Sequence, residues 1–210
     1  RVQPDDIVGL KAAPLAEWIY RWQAGRRAPT FPIGECFDKV SFRGGLETDD
    51  QYVCISGHGY GFHAHPDANC IIRYSDKGQV RLYDDGYMIP TLSEHNTVTI
   101  LKDGWAQDPP GLSQVTANAD FENIGIFESR LGSYNGVDWD RAVSGRRDAG
   151  SSSSMTCAAS TLPSTASSAS GVRWATQSWM ARTGPQSRRA TSLTSMSPPM
   201  SRWPNEKARA

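Results

Sequence analysis

The sequence predicts an all-β fold, an antiparallel β-sandwich preceded by one helix, on three observations. Seven short runs of β-type residues fall between residues 38 and 143. Turn residues separate them, and no helical periodicity lies between them. Short strands at this spacing pack as an antiparallel sandwich or barrel, because parallel strands would need long crossovers.

The first element is the helix. "KAAPLAEWIYRWQA" at 11–24 places Leu15, Trp18, Ile19 and Trp22 at i, i+3, i+4 and i+7, the apolar stripe of one amphipathic helix. Gly25 suits its C-terminal stop, and "RRAPTFP" reads as a linker. A lone helix cannot bury such a stripe by itself. It is expected either to pack on the next domain or to be the last helix of another one. The strand candidates follow: "DKVSFR", "QYVCIS", "NCIIRY", "QVRLYD", "NTVTIL", "NIGIFES" and "WDRAV". "SDKG" at 75–78 joins two of them at hairpin length, and "ILKDGW" supplies an Asp-Gly turn.

Composition bounds the remaining possibilities. A chain of 210 residues is long enough for one domain with a real core. No run of eighteen apolar residues occurs, so no membrane span is expected. The formal net charge of zero hides an asymmetry: residues 1–150 carry 15 Lys+Arg against 21 Asp+Glu, and residues 151–210 carry seven against one. That basic tail has no dense Lys/Arg cluster, so no nucleic-acid partner is expected. Cys36, Cys54, Cys70 and Cys157 form no CxxC pair and fit no zinc ribbon, which leaves them as free or half-buried thiols.

The tail differs in kind from the rest. Residues 151–210 hold no Phe, Tyr, Ile, Asp or His but 15 of the 23 serines. Residues 144–210 are expected to be either a disordered Ser/Ala/Arg-rich tail or a segment translated out of frame. With GC-rich codons, "GSSSSMTC" read one base earlier gives Val-Val-Val-Asp-Asp-Leu, a buried strand where the sandwich needs one. Serine codons other than TCG at 151–154 would sink that expectation.

The chemistry gathers in the histidines. His63 and His65 in "GFHAHPDANC" sit two apart, so on a strand they project to one side, about 7 Å from each other. Zinc takes three or four N, O or S ligands. Asp67, Asp84 or Asp85, and His95 could complete a site, and imidazole with carboxylate suits zinc or another first-row divalent ion. An HxH pair also raises the cupin barrel, but the acidic residue expected three or four positions later is missing, since Ala68 and Asn69 stand there.

Four separated segments carry a resemblance. "FDKVSFRGG", "DDQYVCISGHGYGFHAHPDANCIIRYSDKGQVRLYDDGY", "SEHNTVTI" and "YNGVDWDRAV" resemble, over residues 35–143, the C-terminal β-sandwich of the heparinase II/III-like polysaccharide lyases. Shared features are G-x-H-x-H-x-D, a strand ending in Asp-x-Gly-Tyr, a later His-Asn, and W-x-R. The resemblance implies that residues 1–26 are the end of an (α/α) toroid with its linker, the rest of the toroid being absent. It also implies that 35–143 are an incomplete sandwich. It further implies zinc, chiefly structural, on His65, Asp84 and His95, with His63 facing the catalytic cleft. Asp85 departs from the proline often found at that strand end.

The activity so implied is β-elimination on an acidic, uronic-acid-containing polysaccharide such as a glycosaminoglycan or alginate, in a periplasmic or secreted setting. The main proton-transfer groups would lie on the toroid, leaving this chain an accessory domain, inactive alone. Two other readings stand beside it. One is a non-catalytic carbohydrate-binding sandwich, in which Tyr60, Tyr87 and Trp105 stack on sugars; the other is a metal-dependent cupin.

Overall fold

The computed structural model describes residues 7–60, 65–84, 92 and 95–147, together with the backbone of strands at 156–163 and 172–174. His63, Asp85 and Tyr87 lie outside the described residues. Strand β1 (Gly9–Pro14) comes first, followed by helix α1 (Glu17–Ala24). Four strands complete the first half: β2 (Phe37–Arg43), β3 (Tyr52–Ser56), β4 (Cys70–Asp76) and β5 (Gln79–Tyr83). Then come β6 (Ile100–Lys102), β7 (Trp105–Ala106), β8 (Gln114–Asp120), β9 (Ile124–Tyr134), β10 (Val137–Arg146), β11 (Thr156–Pro163) and β12 (Val172–Trp174).

The expected all-β antiparallel sandwich is the architecture found. A five-stranded sheet runs β1-β2-β3-β4-β5, a four-stranded one β11-β10-β9-β8, and a small one β12-β6-β7. Each sheet is open and begins and ends on an edge strand, which removes the cupin barrel. The turns behave as their residues require. Lys77 and Gly78 take φ 52° and 67°, and Asp103 and Gly104 take 53° and 85°, the left-handed pairs that two-residue hairpins demand. Strand β11 pairs with β10, so a strand stands in the segment that the sequence assigns to a tail. Among the described residues, no helix is long and apolar enough to cross a membrane.

The main core lies between the two larger sheets. Phe37, Val40, Phe42, Val53, Ile55, Ile71 and Tyr74 from β2–β4 meet Phe127 and Val143 from β9 and β10. Each such side chain contributes about 1.5–3 kcal/mol by leaving water. Phe42 sits where Gly125 and Gly145 pair across β9 and β10. A Cβ on either glycine would strike its ring, so the bare backbone there is what lets Phe42 seat. A second core gathers Ala68, Val98, Ile100, Leu131, Tyr134, Val137 and Trp139 around β9, β10 and the loops beside them.

The N-terminal helix is shorter than expected. Residues 11–14 form the end of β1, paired with β2, rather than the first turn of a helix. Pro14 explains the boundary: it lacks an N–H and would clash inside a helix, so α1 starts only after Ala16. The predicted stripe also divides. Leu15 and the partly buried Ile19 and Tyr20 pack with Cys36, Leu112 and Phe31 on the sandwich, whereas Trp18 and Trp22 stay exposed. Gln23, buried, donates from Nε2 to Gly59 O.

Candidate metal centre

Hairpin register builds the site. The two-residue Lys77-Gly78 turn sets Asp76 against Gln79 and, after a bulge, Arg73 against Tyr83. Asp84 N then donates to Ile72 O at 2.9 Å, placing Asp84 beside the start of β4. Cys70 opens β4 two residues earlier and so faces the same side. His95 arrives from a separate loop, fixed where Ile71 N donates to Asn96 O at 3.2 Å and Asn96 Nδ2 returns a bond to Ile71 O at 3.1 Å.

These residues form one polar chain. His65 Nδ1 lies 3.4 Å from His95 Nε2, with the rings edge-on at 76°. The other ring nitrogen of His95, Nδ1, lies 2.9 and 3.0 Å from the two Asp84 oxygens. Cys70 Sγ donates to Asp84 Oδ2 at 3.1 Å. The side chains of His95 and Asp84 are 2% and 9% exposed, so their interaction is little screened. Burial, and then the neighbouring Asp84 charge, push the Cys70 thiol well above the usual cysteine range, which makes it a neutral S–H donor here.

All three sequence-predicted ligands, His65, Asp84 and His95, thus converge, but on two sides of one imidazole. Donor atoms of Cys70, Asp84 and His95 lie within 4.8 Å of one another. The set fits a divalent ion by its chemistry: imidazole, carboxylate and thiol are zinc's ordinary ligands. The spacing fits as well. Tetrahedral ligands at about 2.0–2.3 Å from an ion stand roughly 3.3–3.7 Å apart; the His65–His95 pair at 3.4 Å falls in that range, and the Asp84 contacts with His95 and Cys70, at 2.9, 3.0 and 3.1 Å, are slightly shorter. Asp67 is not in this group, and burial pushes its carboxyl upward.

A buried arginine fastens the loops that carry these side chains. Strand β10 alternates buried and half-buried residues with strict period two, and Arg141 falls on its inward face between Trp139 and Val143. Its guanidinium lies 4.9 Å from the centre of the Trp139 ring. Nε donates to Asn69 O at 2.9 Å and Nη2 to Asn96 O at 3.2 Å. Those carbonyls belong to the residue before Cys70 and the residue after His95. Asn69 itself takes φ 62° and accepts from Ser129 Oγ at 2.6 Å. The W-x-R and His-Asn motifs acquire a physical role from these bonds.

Cys70 and the role of Arg141 are what the residue pattern did not reveal. No cysteine spacing signals Cys70; the turn-fixed register of the β4–β5 hairpin was the available signal, since it sets Asp84 opposite Ile72. His58 makes a bridge with Leu112 and pairs its Nε2 with Asp38 Oδ1 at 3.0 Å, beside Lys39. Of the aromatics proposed to stack on sugars, Tyr60 has a buried hydroxyl, whereas Trp105 is 78% exposed.

Comparison with known proteins gives little sequence signal: no family model matches the chain, and no curated protein matches it. Among solved structures the chain is similar to the heparan sulfate lyase HepC from Pedobacter heparinus, at 19% identity and a TM-score of 0.39. The match covers 62% of this chain and 24% of that one, so the chain spans about a quarter of the length of that lyase.

Proposed function

We propose that this chain is a polysaccharide-lyase-related β-sandwich domain whose partly buried His65–His95–Asp84 cluster holds a structural divalent ion, zinc. One observation carries the reading. Three residues from three separate segments, each marked by a family-like motif, meet within hydrogen-bond distance. When bound, the ion would cross-link the loop before β4, the end of β5 and the loop carrying His95. The resemblance names His65, Asp84 and His95 as the residues that would hold it, and Arg141 keeps two of those segments in place.

The resemblance supplies the rest of the proposal. The substrate is an acidic polysaccharide containing uronic acid, met in a periplasmic or secreted setting. A base removes the C5 proton, the C4–C5 double bond forms, and the C4–O bond breaks as its oxygen gains a proton. This chain contributes one wall of the cleft, with His63 facing the sugar, while a helical domain supplies the remaining proton-transfer groups.

Metal analysis of the chain purified without chelator tests the assignment. A zinc ion per chain is expected, lost in Asp84→Ala and His95→Ala; a metal-free wild-type chain counts against it. Incubation with heparan sulfate, chondroitin sulfate and alginate should yield no unsaturated uronate from the chain alone. Elimination by the isolated chain would overturn the accessory role. Trp105 supports a second reading, a sugar-binding sandwich without catalysis, because an exposed indole can stack on a pyranose face. Oligosaccharide affinity abolished by Trp105→Ala, with no metal bound, would favour it.

A further inference from the structure

We infer that Cys70 is a ligand of the same metal ion, binding as a thiolate on the Nδ1 side of His95. The inference rests on the metal reading above and changes its donor set. A single ion can touch His95 through one ring nitrogen only. On the Nε2 side the described residues offer His65 and His95, two donors. On the Nδ1 side they offer Asp84, His95 and Cys70, three donors whose atoms lie within 4.8 Å of one another. Protein zinc sites use three or four side-chain ligands, and the described residues bring three together on the Nδ1 side. His65 then stands behind the imidazole, holding its Nε2 edge, as partners of metal-bound histidines do.

The placement of Cys70 is unlike that of a packing cysteine. A buried thiol that only fills space lies among apolar atoms. This one is 0% exposed with its sulfur against a carboxylate oxygen at 3.1 Å. Its backbone is pinned by pairing with Ser56 and by donation from Cys70 N to Asp67 O at 3.1 Å. Arg141 holds the preceding carbonyl. On binding, the S–H bond and its hydrogen bond to Asp84 are lost, the proton passes to solvent, and a sulfur–metal bond forms.

Cobalt(II) added to the metal-stripped 210-residue chain tests this without any assay of activity. Cobalt should bind and produce a thiolate-to-metal charge-transfer band in the near ultraviolet, absent in Cys70→Ser. X-ray absorption of the zinc form should show one sulfur at about 2.3 Å. Cys70→Ser should weaken zinc by more than the roughly 10–100-fold typical of residues that only support a ligand. Zinc or cobalt bound with nitrogen and oxygen neighbours alone would overturn the role of Cys70 while leaving the metal reading intact. Wild-type affinity in Cys70→Ser would do the same. A wild-type chain that binds neither metal overturns both.

Discussion

The two cores of the sandwich are built on different rules. The main core, between the larger sheets, is a nearly pure apolar set in which the Tyr74 hydroxyl accepts from Gln51 Nε2 at 3.5 Å. The second core, beside the candidate metal centre, mixes Leu131, Val137 and Ile100 with groups that require partners. Trp139 Nε1 and Asn135 Oδ1 are buried there without a hydrogen-bond partner among the described residues. The first region is specified by side-chain alternation and volume. The second is specified by particular polar links, Arg141 above all. A packing rule tolerates substitutions of similar size, whereas a polar link fails when one partner goes.

The largest expected effect breaks the first rule. Phe42→Ala empties a ring-sized space in the main core and should lower stability by about 3–5 kcal/mol, read from urea unfolding. Metal content at low temperature should stay unchanged, since Phe42 touches none of the cluster; coupled loss of metal would show that the cores are not separable. Arg141→Met does the reverse. It keeps much of the volume but strands the Asn69 carbonyl and leaves Asn96 O with Ile71 N as its donor, costing about 1–3 kcal/mol. It should also weaken zinc by roughly 10–100-fold. An unaltered zinc affinity would reduce Arg141 to a packing residue.

How much of this was legible follows the same division. β2, β3 and β4 were readable because buried residues recur along them, and the Lys77-Gly78 turn announced the hairpin to β5, an edge strand that buries nothing fully. β1 and β8 were not, and both are sheet edges. β1 buries only Gly9, and β8, "QVTANAD", buries nothing fully. A strand with no buried face leaves no periodicity to read. At the site, His65, Asp84 and His95 came forward through motif order. Cys70 and Arg141 act across distances of 14 and 72 residues that only the folded register closes.

The smallest expected effect concerns acid and sharpens the contrast at a polar link outside both cores. Burial first, and then the Lys39 charge, hold His58 below the ordinary histidine value against the pull of Asp38 and Asp67. Burial also pushes Asp38 upward, but the Lys39 hydrogen bond and charge, with His58, hold it below the usual carboxylate range. Both folded values are the lower ones, so both contributions are complete above the unfolded values, about 6.5 for histidine and about 3.9 for aspartate. Each is lost as the pH falls through the lowered folded value. The urea midpoint should therefore decline on acidification below about pH 6.5, and less so in His58→Gln. A midpoint that rises on acidification would reverse the sign.

The seating of Phe42 over Gly125 and Gly145 has a consequence beyond packing. The ring belongs to one sheet and the glycine pair to the other, so the three residues act as a key in a slot that prevents the sheets from sliding past each other. Such positions are expected to change together or not at all. A side chain at either glycine is intolerable while the ring is present and becomes affordable once the ring is trimmed. Phe42→Ala combined with Gly145→Ala should then be less damaging than the sum of the two alone, which makes the alignment of the two layers a property shared by three residues from distant parts of the sequence.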